Sequence, residues 1–259
     1  MQQLSLPITL SLEELLDFGC VYISSERIKK PDYVITPQQV LEIYLSPKRY
    51  LKPFDLSERI LEKNNNFLIV HKPGAVPCHP TIDNEKENLL FWYSELLGEK
   101  LGLPHRLDQG TEGLLILTRN QDSLSTFTKM FAEKLIEKKY LALVEGRWEK
   151  LGLITHFMKP DARAPKILSV TDPGGWKPCA LAVEQVDVWE NFSVLDIKLI
   201  TGRTHQIRTQ LAFEGYPIRG DNLYGSSGLP SNGFDLCCYK LAFTFPGNPD
   251  QQTFSLWNT

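Results

Sequence analysis

The chain has 259 residues, of which 42% are hydrophobic and 23% are charged, and its formal net charge is −3. This composition is typical of a folded globular protein and excludes a disordered one; the length suits one large domain, or one medium domain with a small appendage. Because the chain has no overall basic excess, any nucleic-acid site must be a local concentration of Lys and Arg.

The sequence gives no indication of targeting, membrane insertion or metal binding. The first residues lack a basic region, and Pro7 and two acidic residues interrupt their apolar run, so we expect no signal peptide. No segment approaches a membrane span in length or apolar content. Five Cys without regular spacing favour a reducing cytoplasm, and neither Cys78-His79 nor Cys237-Cys238 has the spacing of a zinc site. We therefore expect a cytoplasmic protein with no metal.

The first fifty residues differ from the rest of the chain. Ser11 is a predicted cap for a short helix, Leu12–Phe18, which would end at Gly19. Basic residues gather in this part, and prolines bound a predicted linker at 46–53. Short β-branched or aromatic stretches predict strands at 21–23, 33–35 and 40–44.

From residue 57 onward the pattern predicts longer strands and a few helices. The strands are predicted at 67–70, 114–117, 139–144 and 193–200, and the helices at 122–135 and 204–213. The first of these helices would bury Leu124, Phe127, Phe131 and Leu135 on one stripe. Strands and helices do not alternate strictly, which predicts an α+β fold with a largely antiparallel sheet.

The loop HRLDQGTEG (105–113) precedes a predicted buried strand. Its two glycines allow unusual backbone dihedrals around a single aspartate, Asp108. An aspartate held at the mouth of a buried strand can serve as a carboxylate nucleophile. It can also be a turn aspartate that accepts local N–H groups, and this loop alone leaves both interpretations open.

A second stretch, TGRTHQIR, runs from a strand through a Gly turn into a helix and brings Arg203, His205 and Arg208 to one place. Free N–H groups at a helix start and nearby arginines suit a phosphate or a carboxylate. Arg208 lies at the edge of the apolar stripe that contains Ile207, so it needs an acidic partner or a ligand anion. A structural ion pair explains this arginine equally well.

A third stretch, EKKYLALVEG, places Tyr140 behind two lysines at the start of a predicted strand. Tyrosine offers a flat face for base stacking, and the lysines attract phosphates. A half-buried strand tyrosine without a functional role is the alternative.

Together, and in this order, the three stretches resemble the RluA family of pseudouridine synthases, which carries HRLD-x-x-T-x-G, K-x-Y-x-A-x-V-x-G and TGRTHQIR. Further matches are the Lys72-Pro73-Gly74 turn, YPIRGDNLYG and LAFTFP, so the resemblance runs from about residue 60 to about residue 247. Glu112 and the run LTRN after the predicted strand are closer to the sister RsuA family, and Gln210 stands where RluA members usually have His.

This resemblance implies that the protein isomerises uridine to pseudouridine in ribosomal or transfer RNA, on a uridine flipped out of the RNA stack, without cofactor or metal. Asp108 would be the nucleophile, attacking ring C6 or ribose C1′, with Arg208 paired to it and Tyr140 against the uracil. The implied fold is a mixed, mainly antiparallel sheet split by a deep cleft. Substrate contacts are predicted for Arg106, Ile207, Arg203, His205 and Lys72.

Residues 1–50 resemble, in truncated form, a small RNA-binding appendage of ribosomal-protein type, and residues 57–259 are predicted to form the catalytic domain. The appendage could grip RNA or act as a structural cap. We expect a monomer that acts on structured RNA and not at a membrane.

Two alternatives remain. One is an RNA-binding relative that has lost catalysis, against which the intact Asp108, Tyr140 and Arg208 argue. The other is a glycoside hydrolase that uses Asp108 with Glu112, which would leave TGRTHQIR unexplained.

Overall fold

A computed structural model of the chain describes residues 10–45, 47–161, 163–228 and 233–257. The α-helices within these ranges are α1 (Leu12–Phe18), α2 (Leu89–Leu97), α3 (Gln121–Ala132) and α4 (Gln206–Phe213). The strands are β1 (Val21–Ile23), β2 (Glu26–Arg27), β3 (Leu41–Ile43), β4 (Ile60–Lys63), β5 (Phe67–Lys72), β6 (Glu112–Thr118), β7 (Glu137–Glu145), β8 (Gly152–Met158), β9 (Leu168–Ser169), β10 (Lys177–Trp189), β11 (Phe192–Leu199), β12 (Leu236–Phe243) and β13 (Gln252–Ser255).

Strands β4 to β13 form one ten-stranded sheet in the order β4-β5-β6-β12-β7-β11-β10-β8-β9, with β13 paired to β12. Every pair in this order is antiparallel except β6 with β12. The parallel pair joins Glu112 and Gly113 to Cys237 and Cys238 and extends no further. The predicted α+β fold with a mixed, mainly antiparallel sheet is therefore confirmed.

Gly113 allows the close approach of β6 and β12. Its φ is +122°, and a Cβ atom there would lie 2.3 Å from the carbonyl oxygen of Cys238. A side chain at this position would therefore clash with backbone as well as strain the dihedral. The last glycine of HRLDQGTEG thus joins the loop that carries Asp108 to the centre of the sheet.

The main core lies around β5, β6 and α3. All of β6 after Glu112 is buried, in agreement with its continuous apolar run. Phe67, Phe127 and Phe243 meet edge to face, with ring centroids 5.3 to 5.7 Å apart. Burying a phenylalanine side chain stabilises the fold by roughly 1.5–3 kcal/mol, so this cluster anchors the strand that follows the Asp108 loop.

The N-terminal segment, residues 10–45 and 47–50, contains α1 and a three-stranded sheet in the order β2-β1-β3. Ser11 caps α1 and Gly19 ends it, as predicted. Apolar side chains of α1 and β1 form a small core of their own, separate from the main one. The division into an appendage at 1–50 and a domain at 57–259 stays a prediction.

Two predictions in this segment need correction or qualification. Residues 33–35 form no strand, and Val34 is 80% exposed, because no neighbouring strand pairs with this apolar triplet. The strand predicted at 40–44 is shorter, since only Leu41–Ile43 pairs with β1. Residue 46 of the predicted linker lies outside the described residues, and 47–53 is irregular.

The helix predicted at 122–135 ends at Ala132, and its predicted apolar stripe is partly wrong. The chain leaves the helix through Lys134, whose φ is +59°. This turn directs Ile136 into the core and leaves Leu135 57% exposed. The second predicted helix begins at Gln206, two residues later than expected.

Three further findings concern the described residues. Their helices include none that is long and apolar enough to cross a bilayer. They contain no group of three His, Cys, Asp or Glu side chains placed to hold a metal ion. All five cysteines are free thiols.

Candidate active site

A cleft of about 1040 Å³ opens beside the loop that precedes β6. Most of its wall residues lie within the segments 77–81, 104–111, 131–140 and 198–208. These segments are far apart in the sequence, and the sheet brings them together. The cleft lining includes seven of the predicted site residues: Arg106, Asp108, Tyr140, Arg203, His205, Ile207 and Arg208.

The Asp108 loop is held at both ends. The Thr111 N–H donates to the Asp108 carbonyl over 3.0 Å and closes a tight turn. His105 accepts a 2.9 Å hydrogen bond from the Ile116 N–H at Nε2, and its ring packs on Phe131. Burial, with the nearby Lys138, lowers the pKa of His105 to about 3, so this imidazole stays neutral and keeps its acceptor.

The prediction that Lys72 contacts the substrate is wrong. Its side chain is fully buried, and its ammonium donates to the carbonyls of Pro73, Gln109 and Thr111 at 2.9, 2.9 and 2.7 Å. An ammonium has three N–H donors, and all three are occupied. Lys72 therefore supports the Asp108 loop from beneath. Burial lowers the pKa of Lys72 to about 8.

Arg208 lies between two carboxylates at the base of the cleft. Its Nη1 donates to Asp108 Oδ2 over 3.0 Å, while Nε and Nη2 donate to Asp221 Oδ2 and Oδ1 over 2.6 and 2.9 Å. The Arg208 and Asp221 side chains are buried, whereas that of Asp108 is 22% exposed toward the cleft. The sequence left open whether Arg208 forms a structural ion pair or serves the site. It does both, because its guanidinium pairs with the buried Asp221 and also contacts the candidate nucleophile Asp108.

The surroundings keep Arg208 charged and in place. Burial alone would lower the pKa of Arg208, but the hydrogen bonds with Asp221 and the charge of Asp108 raise it. Aromatic rings pack against the guanidinium, with the Phe234 centroid at 4.3 Å and the Tyr224 centroid at 5.0 Å. A permanent positive charge is thus fixed beside the Asp108 carboxylate.

Asp221 was missed by the sequence analysis. It belongs to the stretch YPIRGDNLYG and precedes a short 3₁₀ helix, Asn222–Tyr224. A signal was available, since a partly desolvated Arg208 requires an acidic partner and Asp221 is the acidic residue of the next motif along the chain.

Tyr140 is the fourth residue of β7 and lines the cleft. It is 6% exposed, and burial, together with the neighbouring Cys238, raises its pKa well above the ordinary value. The hydroxyl therefore carries its proton in this structure, and Tyr140 offers the cleft a ring face and a neutral hydroxyl.

The remaining predicted residues surround this centre. Ile207 is buried in the wall of the cleft, and Arg203 is exposed at its edge. His205 has a φ of +58° at the start of α4, and its Nε2 lies 3.9 Å from Asp108 Oδ2. Arg106 is an exposed residue of the cleft lining, and its Nη1 lies 2.6 Å from His79 Nε2.

The two unusual residues of the motifs lie outside the cleft lining. Glu112 accepts from His71 Nε2 at 2.7 Å, so its carboxylate is hydrogen-bonded outside the cleft lining. Gln210 lies on α4 and is fully buried, and its amide contacts His156. This placement of Glu112 argues against the glycoside hydrolase alternative.

Comparison with known proteins identifies the family. Residues 66–213, which include most of the cleft, match the family model described as RNA pseudouridylate synthase. The chain belongs to this family.

Relatives within the RNA pseudouridylate synthase family agree with the RluA resemblance. RNA pseudouridine synthase 6, chloroplastic, of Oryza sativa subsp. japonica is 30% identical over 228 residues, covering 78% of this chain and 48% of the relative. Ribosomal large subunit pseudouridine synthase D of Borreliella burgdorferi is 32% identical over 207 residues, covering 74% of this chain and 62% of the relative. The chain thus spans less than two thirds of either relative's length.

The fold agrees with solved structures of the family. Human RNA Pseudouridylate Synthase Domain Containing 1 superposes with a TM-score of 0.63 at 23% identity, covering 80% of this chain and 86% of that one. At this identity the likeness concerns the fold. The family assignment and the fold therefore rest on independent comparisons.

Proposed function

We propose that the protein isomerises uridine to pseudouridine within structured RNA, with Asp108 as the nucleophile. The observation that carries this proposal is the Asp108 carboxylate, which faces the cleft 3.0 Å from the buried guanidinium of Arg208. In a member of the RNA pseudouridylate synthase family, a carboxylate so placed suits attack on an electrophilic carbon of a nucleotide.

The reaction balances without a cofactor. The Asp108 carboxylate forms a transient bond to ring C6 or to ribose C1′, and the bond between N1 of the base and C1′ breaks. The base rotates, a bond forms between C1′ and C5, and the bond to Asp108 breaks again. The C5 proton leaves, and N1 gains a proton. Because no net oxidation or hydrolysis occurs, the work of the protein is to extrude the base, orient it and supply the nucleophile.

The other groups of the cleft fit supporting roles. In our proposal Tyr140 stacks on the uracil, and its hydroxyl orients the base and assists the departure of the C5 proton. Ile207 lines the base pocket. Arg106 and Arg203 are exposed residues of the cleft lining, where cationic groups can meet the RNA backbone, and His205 lies closer to Asp108.

We further infer a monomeric, cytoplasmic enzyme that acts on ribosomal or transfer RNA, with an appendage at 1–50 and a catalytic domain at 57–259. The separate small core of the N-terminal segment supports this division. Free cysteines are consistent with a reducing compartment. The name of the Borreliella burgdorferi relative makes large-subunit ribosomal RNA the first substrate to test.

The test is to map pseudouridine in ribosomal and transfer RNA from cells that lack the protein and to complement them with wild type or with Asp108→Asn. One or more sites should disappear and return only with wild type. If no site is missing and purified protein binds RNA without modifying it, the chain is instead an inactive RNA-binding relative.

A further inference from the structure

The loop at residues 77–88, between β5 and α2, touches the cleft at one end and the N-terminal segment at the other. Pro77, Cys78, His79 and Thr81 line the cleft. The rest of the 77–88 loop, from Thr81 to Glu87, makes its long-range contacts with the N-terminal segment. This loop is the physical connection between the predicted appendage and the candidate active site.

Side chains of the N-terminal segment hold three successive carbonyls of the loop. Arg27 Nη2 donates to the Thr81 carbonyl over 2.6 Å, Tyr22 to Ile82 over 2.8 Å, and the Cys20 thiol to Asp83 over 3.0 Å. A backbone bond from the Glu85 N–H to the Phe18 carbonyl, 2.7 Å long, extends this row. Three side-chain bonds and one backbone bond thus hold the loop backbone against the segment.

Charged groups continue the same contact. Arg49 donates twice to Glu87 Oε1, at 2.9 and 2.7 Å, and Lys29 lies 2.6 Å from Glu85 Oε1. The fully buried Asn84 donates to the carbonyl of Lys48. Arg27, Lys29 and Arg49 of the N-terminal segment are therefore paired with loop carboxylates, which leaves fewer of its basic residues for RNA.

At its other end the loop contacts the two residues that directly precede Asp108, which are Arg106 and Leu107. The Cys78 thiol donates to the Leu107 carbonyl over 3.2 Å. His79 Nδ1 lies 2.7 Å from the Pro80 carbonyl, which can only accept, and His79 Nε2 lies 2.6 Å from Arg106 Nη1, which can only donate. Both contacts are satisfied by one neutral tautomer, with the proton on Nδ1 and the lone pair on Nε2 aimed at Arg106.

We propose that the N-terminal segment braces the 77–88 loop, and that His79 is the positioning residue through which this loop holds Arg106 at the mouth of the cleft. This inference rests on the proposed function, because Arg106 is expected to meet the RNA beside the target uridine. A free arginine loses much rotational freedom when it binds. Because His79 orders the Arg106 side chain before RNA binds, this cost is lower and RNA binding is stronger. His79 takes no part in the reaction itself.

The first test is a double-mutant cycle on pseudouridine formation with the full chain. His79→Ala should raise KM for RNA by roughly 3- to 10-fold with little change in kcat, the cost of ordering one long side chain. His79→Gln keeps an acceptor for Arg106 and should restore most of the binding. In an Arg106→Ala background, His79→Ala should have no further effect. An equal effect in both backgrounds would overturn the role of His79.

The second test separates a brace from a direct grip on RNA. Arg27→Ala should raise KM for RNA, as His79→Ala does, and the two effects should not add. Lys30 is exposed, so Lys30→Ala serves as the control and should leave KM unchanged. If Arg27→Ala destabilises the fold, Tyr22→Phe removes a single bond to the loop and serves instead. Additive effects, or a raised KM for Lys30→Ala, would favour direct RNA binding by the segment and overturn the brace.

Wild type and Asp108→Asn are assayed in parallel to separate the two hypotheses. If wild type forms no pseudouridine in any RNA, the proposed function fails. If wild type is active and His79→Ala matches it in KM, only the inference about His79 fails.

Discussion

The buried pair of Arg208 and Asp221 gives a prediction whose size follows from the structure. Asp221→Asn keeps the volume of the side chain but replaces one of the two accepting oxygens with an amide that faces the guanidinium. Breaking a buried ion pair costs about 3–5 kcal/mol because a charge remains without its partner. Arg208 keeps Asp108 and its aromatic neighbours, so we expect the lower end, about 3 kcal/mol.

For a chain of this length, about 3 kcal/mol corresponds to a fall in Tm of roughly 6–12 °C, which thermal denaturation followed by circular dichroism resolves. We also expect kcat to fall by about 10²-fold, because the guanidinium loses the partner that aims it at Asp108. The control is Asp235→Asn, which breaks the half-exposed pair of Asp235 with Arg219 and should cost less than about 1 kcal/mol. Equal, small losses for both variants would refute the reasoning.

Three further predictions concern the Asp108 loop and the base pocket. Gly113→Ala should lower the free energy of unfolding by about 3 kcal/mol or more, because its Cβ would meet the Cys238 backbone. Gly174→Ala is the control: it lies in open space with φ +99° and should cost about 1 kcal/mol, with both variants measured by urea denaturation. Lys72 releases its proton at a lower pH in the folded protein than in the unfolded chain, because burial lowers its pKa to about 8 from 10.5. Between about pH 8 and pH 10.5, the free energy of unfolding of wild type should therefore rise with pH relative to that of Lys72→Met, by at most about 1.4 kcal/mol per pH unit. Tyr140→Phe should leave KM for RNA within about 3-fold and lower kcat, whereas Tyr140→Leu should also raise KM, because only phenylalanine keeps the stacking ring.

Each of these predictions has a contradicting outcome. Similar losses at both glycines would show that the contact between β6 and β12 is not as close as described. Parallel stability curves for wild type and Lys72→Met across the pH range would contradict the buried, pKa-lowered ammonium. An undiminished kcat for Tyr140→Phe would remove any role for the hydroxyl.

Local patterns in the sequence predicted most of the elements around the site. The continuous apolar run at 114–117 predicted the buried β6, and Ser11 and Gly19 marked both ends of α1. Such features depend on neighbouring residues, which the sequence displays directly. The strand predicted at 33–35 failed because a strand also needs a partner, and none pairs with this triplet in the described residues.

Contacts between distant parts of the chain were harder to predict. Lys72 was expected at the substrate, but two of its three acceptors lie 37 and 39 positions away, so only the folded chain shows that the ammonium is occupied. The pairing of Arg208 with Asp108 spans 100 positions and was expected only through the family resemblance. Asp221 could have been found by asking which motif supplies the acid that a buried arginine needs.

The central claim, that Asp108 is the nucleophile, is tested most directly by tritium release from RNA whose uridines are labelled at C5. This label leaves when C5 loses its hydrogen after taking the place of N1 at C1′. We predict that Asp108→Asn folds and binds RNA like wild type but releases tritium slower by a factor on the order of 10³ or more. Release within about tenfold of the wild-type rate would contradict the assignment of Asp108.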